Sequence, residues 1–207
     1  QKVQRYPWAW ADTLREMAAL DPQHLCPGHG VPVVDDPEEV RDRLLDSAAY
    51  LEAIVEETLA ALSDGSPPHV DVVHEVDTPE YDAPWLAETY DEGEFIARNV
   101  IRYYGGGGSG RPAELKPAPR QAVAEEVAAL AGDAATLADR ALALADEDMR
   151  LACHLADYAL EAAPDEETVQ EAVASVYEQR AAGEGNLMSG NLYSSAAEYA
   201  RDGRPFR

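Results

Sequence analysis

Apolar residues recur three and four residues apart over most of the chain, which is the spacing of amphipathic helices. The longest such segment covers residues 37–62. It begins with Asp36 as N-cap, Pro37 at the first helical position and Glu39 completing a capping box. Gly65 and the two prolines after it end the segment. Its apolar stripe consists of Val40, Leu44, Ala48, Leu51, Val55, Leu59 and Leu62. The pattern predicts a helix of about seven turns.

Shorter helices are predicted on both sides of this one. The first covers residues 8–20 and has Trp10, Leu14 and Met17 as its apolar face. Four more are predicted over 119–131, 133–145, 147–162 and 166–182. Asp133 and Asp165 are the expected caps of the second and fourth. The expected apolar faces are Val123, Val127 and Leu130; Leu137, Ala141 and Leu144; Leu151, Leu155 and Ala159; and Val169, Val173 and Val176. A weaker helix is predicted around 194–200.

These segments predict a mainly α fold, a helical bundle of antiparallel hairpins, with a short α/β segment before it. The hairpins resemble tetratricopeptide-type pairs in about two units, fewer than a solenoid needs to stand alone. Residues 69–74 could form a strand or an irregular surface segment. The glycine run at 105–110 has few side chains to pack and is typical of a flexible coil, so we expect a mobile hinge there.

The amino-acid composition argues against several kinds of binding partner. The formal net charge is −24 and the pI is near 4.3, which argues against nucleic-acid partners and anionic membrane surfaces. No apolar run approaches the roughly 20 residues of a membrane span. Cys26 and Cys153 form no disulfide pattern, so we expect a cytoplasmic protein, with secreted or periplasmic location left open. Because the chain starts at Gln1 without a signal-like stretch, we expect it to be the C-terminal part of a longer enzyme.

Two groups of residues are candidates for chemistry. His29 lies between Gly28 and Gly30 just after a predicted strand end, a setting that suits a metal ligand or a simple turn residue. A single histidine cannot hold zinc, which takes about three or four ligands. Arg98 and Arg102 are four apart on one helix face. They could bind an anionic substrate, although ion pairs with the abundant acidic residues are the favoured interpretation.

The segment from Trp10 to Val33, with Cys26-Pro27-Gly28-His29-Gly30, resembles the end of a metallo-β-lactamase-fold hydrolase domain. The rest resembles the helical region of alkyl-sulfatase-like members of that superfamily, including their dimerisation domain. The stretches that carry this resemblance are Trp85-Leu86-Ala87-Glu88-Thr89-Tyr90, Asn99-Val100-Ile101-Arg102-Tyr103-Tyr104-Gly105-Gly106 and Arg111-Pro112-Ala113-Glu114-Leu115-Lys116-Pro117. The metal-binding His-x-His-x-Asp-His motif of the superfamily is absent. Relatives usually carry bulky aromatic residues where this chain has its glycine run.

The resemblance implies a division into three parts: 1–36, the remnant of the hydrolase domain; 37–84, a long helix and proline-rich connector; and 85–207, a helical dimerisation domain. It implies a homodimer and a zinc-dependent hydrolase that cleaves an ester, with alkyl sulfate as one such substrate. His29 would bind one metal, and a missing N-terminal hydrolase domain would supply the other ligands, so this chain alone is expected to be inactive. The alternative is a helical-hairpin interaction module without catalysis.

Overall fold

The computed structural model describes residues 4–65, 71–79, 82–106 and 108–206. Within them the chain is mostly helical and carries one two-stranded sheet, which confirms the predicted mainly α class. The residues group into two compact units, Gln1–Leu115 and Lys116–Arg207. The three-part division at 36/37 and 84/85 stays a prediction. No helix in the described ranges is long and apolar enough to cross a membrane.

The first unit is built around one long helix. Its elements are α1 (Pro7–Ala19), β1 (His24–Leu25), β2 (Val33–Val34), α2 (Pro37–Asp64) and α3 (Gly93–Gly105), with short 3-10 helices at Val72–His74, Pro84–Leu86 and Pro112–Leu115. The strands pair antiparallel, His24 opposite Val34 and Leu25 opposite Val33. Both α1 and α3 pack against α2, which therefore organises the unit.

Helix α2 begins and ends where the sequence predicts. The Asp36 carboxylate accepts a hydrogen bond from the Glu39 backbone N–H at 3.0 Å, and Gly65 ends the helix with φ 70°. The Glu39 carboxylate, however, accepts from Arg43 Nε at 3.0 Å. The expected capping box is therefore present only in its Asp36 half. Most of the predicted stripe is buried, namely Val40, Leu44, Ala48, Leu51 and Val55.

The predicted face of α1 is wrong for two of its three residues, since Leu14 packs on the core but Trp10 and Met17 do not. The helix buries Pro7, Ala11 and Ala18. Trp10 is 43% exposed and Met17 is 39% exposed, although both were expected to face the core. Alanines on the contact side let α1 approach α2 closely, which leaves Trp10 and Met17 pointing outward.

The segment after α2 also differs from expectation. Val72 and Val73 belong to a 3-10 helix and are buried in the core with α3, so these residues form neither a strand nor a surface segment. His69 and Val70, the first residues of the predicted strand, lie outside the described residues.

The second unit contains five helices, α4 (Arg120–Ala131), α5 (Ala134–Leu144), α6 (Met149–Ala162), α7 (Glu167–Ala182) and α8 (Leu187–Arg201). Helix α6 packs against both α4 and α5. Helix α7 packs against α5 and α6 on one side and also against α8. Alanine supplies much of the buried surface between them. Small side chains bring neighbouring helix axes close together.

The helix positions in this unit are confirmed, but two ends need correction. Glu166 rather than Asp165 precedes α7 as its N-cap residue, and no side chain caps that helix. Helix α8 begins at Leu187, seven residues before the predicted start, because the Asn186 side chain accepts a hydrogen bond from the Ser189 backbone N–H at 2.8 Å.

Two of the four predicted apolar faces in this unit are confirmed. Helix α5 buries Leu137, Ala141 and Leu144, and α7 buries Val169, Val173 and Val176. Helix α6 buries Ala152, Ala156, Ala159 and Leu160 and leaves Leu151 exposed. The α4 face is wrong for two of its three residues: Val123 and Leu130 are exposed, whereas Val127 is half-buried against the core beside the buried Ala124 and Ala128.

The glycine run begins inside α3, which ends at Gly105. Gly106 and Gly110 each have φ 80°, a backbone conformation that glycine adopts without strain. Gly107 lies outside the described residues. The expected mobility of this run stays a prediction.

Candidate functional site at the Gly-His-Gly loop

His29 lies in the loop that joins β1 to β2, next to Gly30 with φ 103°. The imidazole is exposed at the surface of the unit. It stacks on the ring of Tyr90, with ring centroids 3.8 Å apart and an angle of 14° between the planes. The predicted metal ligand is therefore held against an aromatic residue from a distant part of the chain.

The segment that carries Tyr90 is attached to α2 by side-chain contacts. Trp85 Nε1 donates to Asp46 Oδ2 at 3.1 Å, and the Tyr50 hydroxyl donates to Glu88 Oε1 at 2.7 Å. The Arg43 guanidinium lies 5.5 Å from the centre of the Trp85 ring. Arg43 also donates to the Val31 carbonyl at 3.4 Å. One α2 arginine thus contacts both the His29 loop and the Tyr90 segment.

Glu88, which accepts the Tyr50 hydrogen bond, also binds the first residue of α3. Glu88 Oε1 accepts the backbone N–H of Gly93, the first residue of α3, at 2.6 Å. A carboxylate is favourable at a helix N-terminus because unpaired N–H groups and the helix dipole point there. A side chain at position 93 would collide with Thr78, which accounts for glycine at this position.

The described residues do not form a zinc site by themselves. They contain no group of three or more His, Cys, Asp or Glu residues arranged to hold a metal ion. His24 is nearby in sequence, but its Nδ1 accepts the Asp35 backbone N–H at 2.9 Å. A zinc site takes about three or four ligands, and His29 offers one. Any zinc bound at His29 needs ligands from outside the described residues.

The two candidate arginines differ in their contacts. Arg98 Nε and one terminal nitrogen donate to Glu94 Oε1 at 3.0 and 2.9 Å, in an ion pair one helical turn apart. Arg102 is exposed and pairs with no carboxylate among the described residues. Of the two, Arg102 is the better placed to meet an anion from solution.

Sequence reasoning missed the residues that tie the N-terminal segment to α3. The Oδ1 atom of the buried Asn99 side chain accepts the Arg5 backbone N–H at 2.8 Å, and the Asn99 backbone carbonyl accepts from Gln4 Nε2 at 2.8 Å. Arg5 also pairs with Asp91. Asparagine at an apolar helix position is the one signal that could have indicated a buried polar contact.

Aromatic rings from α1 and α3 form a second feature that the sequence did not predict. Trp8 and Tyr103 lie edge to face with centroids 4.8 Å apart, and Tyr104 lies 4.9 Å from Tyr103. Tyr6 joins them at 5.7 Å from Tyr103. The three tyrosines are exposed, so the cluster offers an aromatic surface to an apolar ligand or to another protein surface.

The second unit holds a polar cluster with no catalytic geometry. The Tyr177 hydroxyl donates to Asp157, and burial together with this carboxylate raises the pKa of Tyr177, which keeps the hydroxyl protonated. Burial raises the pKa of the Cys153 thiol to about 11. Because the thiolate is the nucleophile, this shift makes Cys153 an unreactive packing residue.

Comparison with known proteins identifies a family for most of the chain. The family described as alkyl sulfatase dimerisation matches residues 69–203, more than half of the chain. No curated protein matches the sequence.

The solved structures that match include two sulfatase structures that cover almost the whole chain. One is the stereoselective inverting sec-alkylsulfatase Pisa1 from Pseudomonas sp., at 24% identity and a TM-score of 0.85. The other is a double mutant of the sec-alkyl sulfatase PisA1, at 24% identity and a TM-score of 0.84. Each match covers 97% of this chain and 32% of the sulfatase, so the chain spans about a third of the length of these relatives. Likeness at this identity establishes the fold.

Proposed function

Because the chain belongs to the alkyl sulfatase dimerisation family, we propose that it is the C-terminal, dimer-forming portion of a metal-dependent ester hydrolase with a metallo-β-lactamase fold. The observation that carries this proposal is the combination of the family match with the exposed His29. That histidine is held on Tyr90, within a unit that also matches the sulfatase fold. The cofactor is zinc, and the protein is a homodimer.

In this proposal His29 supplies one imidazole ligand. The remaining ligands come from a part of the enzyme equivalent to the two thirds of the matched sulfatases that this chain does not cover. Stacking on Tyr90 limits the orientations of the imidazole and reduces the entropy lost on metal binding. Arg43 keeps the loop beside α2, because it contacts both Val31 and Trp85.

An alkyl sulfate is the substrate class that we propose. The solved relatives are described as sec-alkyl sulfatases. In this chain, Arg102 offers an exposed guanidinium that suits a sulfate group. Arg98 has the smaller role, since Glu94 already neutralises it.

A second candidate function is a helical-hairpin interaction module without catalysis. It is supported by the single imidazole at the loop and by the large apolar side chains that the second unit leaves exposed. This function requires a partner surface but no metal.

The test is to express the complete reading frame that contains this chain beside the 207-residue chain itself. We expect the complete protein to bind zinc and hydrolyse secondary alkyl sulfates, and the 207-residue chain to be inactive. His29→Ala should lower zinc occupancy and activity by more than the roughly 10-fold that loss of a residue supporting a ligand costs, because His29 is itself the ligand. His24→Ala is the matched control, because it removes the other histidine of the same hairpin.

A complete protein without zinc and without esterase or sulfatase activity would leave the interaction module as the function. Stoichiometric zinc and His29-dependent hydrolysis by the 207-residue chain would contradict the proposed division of the metal site.

A further inference from the structure

Two carboxylates bracket Tyr90, the residue whose ring stacks on the His29 imidazole. Glu88 lies two positions before Tyr90, and Asp91 follows it directly. Residues 87–92 belong to neither a helix nor a strand. Holding such a segment in one conformation costs backbone entropy, which its contacts must offset. The position of the Tyr90 ring therefore depends on the side chains that attach this segment to the rest of the unit.

Glu88 attaches the segment to two helices through a single oxygen atom. Its Oε1 accepts hydrogen bonds from the Tyr50 hydroxyl of α2 at 2.7 Å and from the Gly93 backbone N–H of α3 at 2.6 Å. These groups are closely packed, since a Cβ at position 93 would lie 3.0 Å from the Tyr50 hydroxyl oxygen and 3.2 Å from Glu88 Oε1. Hydrogen bonds to a charged acceptor are stronger than those between neutral groups. Glu88 thus fixes the chain on the N-terminal side of Tyr90.

Asp91 attaches the other side of Tyr90 to the N-terminal segment. Its side chain is 14% exposed and forms an ion pair with Arg5. Arg5 is in turn held by α3, because its backbone N–H donates to Oδ1 of the buried Asn99 at 2.8 Å. An ion pair that is partly buried is screened less by salt than an exposed one. Tyr90 therefore has a carboxylate anchor on each side.

We propose that Glu88 and Asp91 are positioning residues, which hold the Tyr90 ring where it stacks on the His29 imidazole. Each acts on His29 through Tyr90. With the two ring centroids 3.8 Å apart, the tyrosine limits the rotation of the imidazole, and a displaced tyrosine would release it. The consequence for zinc rests on the proposed function, because a preorganised imidazole binds a metal more tightly than a mobile one.

The test is nuclear magnetic resonance of the metal-free 207-residue chain. Carbon-bound protons above the face of an aromatic ring are shielded, so the His29 imidazole signals should lie upfield of those of an unstacked histidine. The chain has five histidines, and the spectrum of His29→Gln identifies which signals belong to His29. Tyr90→Leu removes the ring and should abolish the upfield shift, which defines complete loss of the stack.

We expect Glu88→Ala and Asp91→Ala each to lose most of the upfield shift. Glu88→Gln should keep most of it, because the amide oxygen can accept the same two hydrogen bonds. Tyr50→Phe and Arg5→Ala remove a partner of each carboxylate, and each should lose part of the shift. These two variants decide the matter if the alanine variants at 88 and 91 fail to fold.

Two further variants control for general effects. Glu57→Ala removes an exposed glutamate from α2. Gly65→Ala strains the end of the same helix and lowers stability, because Gly65 has φ 70°. Both should keep the full upfield shift. Circular dichroism checks that every variant keeps its helix content.

Zinc affinity of the complete protein measures the consequence for metal binding. Glu88→Ala and Asp91→Ala should each weaken zinc binding by about 10-fold, as loss of a residue that supports a metal ligand does. Glu88→Gln should bind zinc nearly as the wild type does. Variants that lose the upfield shift and still bind zinc like the wild type would overturn the link between the stack and the metal.

The other contrary results are distinguishable from one another. Wild-type His29 signals without an upfield shift contradict the positioning of His29 by Tyr90. Alanine and partner variants that keep the shift contradict the roles of Glu88 and Asp91 and leave the proposed function in place. Loss of the shift in Gly65→Ala assigns the effect to overall stability and also overturns those roles. A complete wild-type protein that binds no zinc contradicts the proposed function, whereas the positioning of His29 is judged from the spectra alone.

Discussion

Helices α4 and α5 are neighbours of nearly equal length, and both are rich in alanine, yet they use their apolar residues in opposite ways. In α5 the predicted face of Leu137, Ala141 and Leu144 is buried. In α4 two of the three predicted residues, Val123 and Leu130, are exposed, and the contact is made by Ala124 and Ala128 with the half-buried Val127. Periodicity of large apolar residues therefore predicts a helix and an apolar face on it, but not whether that face is buried.

The difference follows from where each helix lies in the unit. Helix α5 packs on α4, α6 and α7, so it is covered on several sides and buries leucines and alanines together. Helix α4 packs on α5 and α6. Alanine on that side allows a short distance between axes, and a leucine there would push the helices apart. The same substitution should therefore have opposite consequences in the two helices.

The largest expected effect comes from truncating a leucine in each helix. Leu144→Ala in α5 should lower the free energy of unfolding by about 2–5 kcal/mol, because it removes a buried side chain and leaves a cavity. Leu130→Ala in α4 should change it by less than about 0.5 kcal/mol when the protein is too dilute to associate. Urea unfolding followed by circular dichroism measures both. Equal losses for the two variants would show that Leu130 packs within its own unit.

A smaller effect is expected from enlarging an alanine on either side of α4. Ala124→Leu should destabilise the protein by about 1–3 kcal/mol, because position 124 is fully buried against neighbouring helices. Ala122→Leu, at an exposed position, is the control and should be nearly neutral at the same low concentration. Thermal unfolding of the two variants compares them directly. A neutral Ala124→Leu would contradict the close packing inferred for this side of α4.

The smallest effect concerns helix ends. Asn186→Ala should cost about 1 kcal/mol of stability, because Asn186 caps α8 through the Ser189 N–H. Asp165→Ala should be nearly neutral, because no side chain caps α7. Unfolding midpoints in urea measure the difference. If Asp165→Ala were the more damaging change, Asp165 would be the cap of α7 that the sequence predicts, and the assignment of Glu166 as its N-cap residue would be wrong.

The sequence determined the features that depend on residues close together in the chain. Helix positions follow from apolar spacing and from local breakers, and the ends of α2 follow from Asp36 and Gly65. The strand end before the Gly-His-Gly turn also follows from the local glycines and proline, whereas its pairing with the second strand, Val33–Val34, was not predicted. The family resemblance, carried by short motifs, is confirmed by the match to residues 69–203.

The tertiary structure decided which of two apolar faces each helix buries. Spacing alone cannot choose between Val123 with Leu130 and Ala124 with Ala128, because both pairs repeat with helical periodicity. The choice depends on how closely neighbouring helices approach, a property of the whole unit. Contacts between distant segments are likewise invisible to local patterns. Tyr90 stacks on His29 across some 60 residues of sequence, and only the packing of both segments on α2 brings the two rings together.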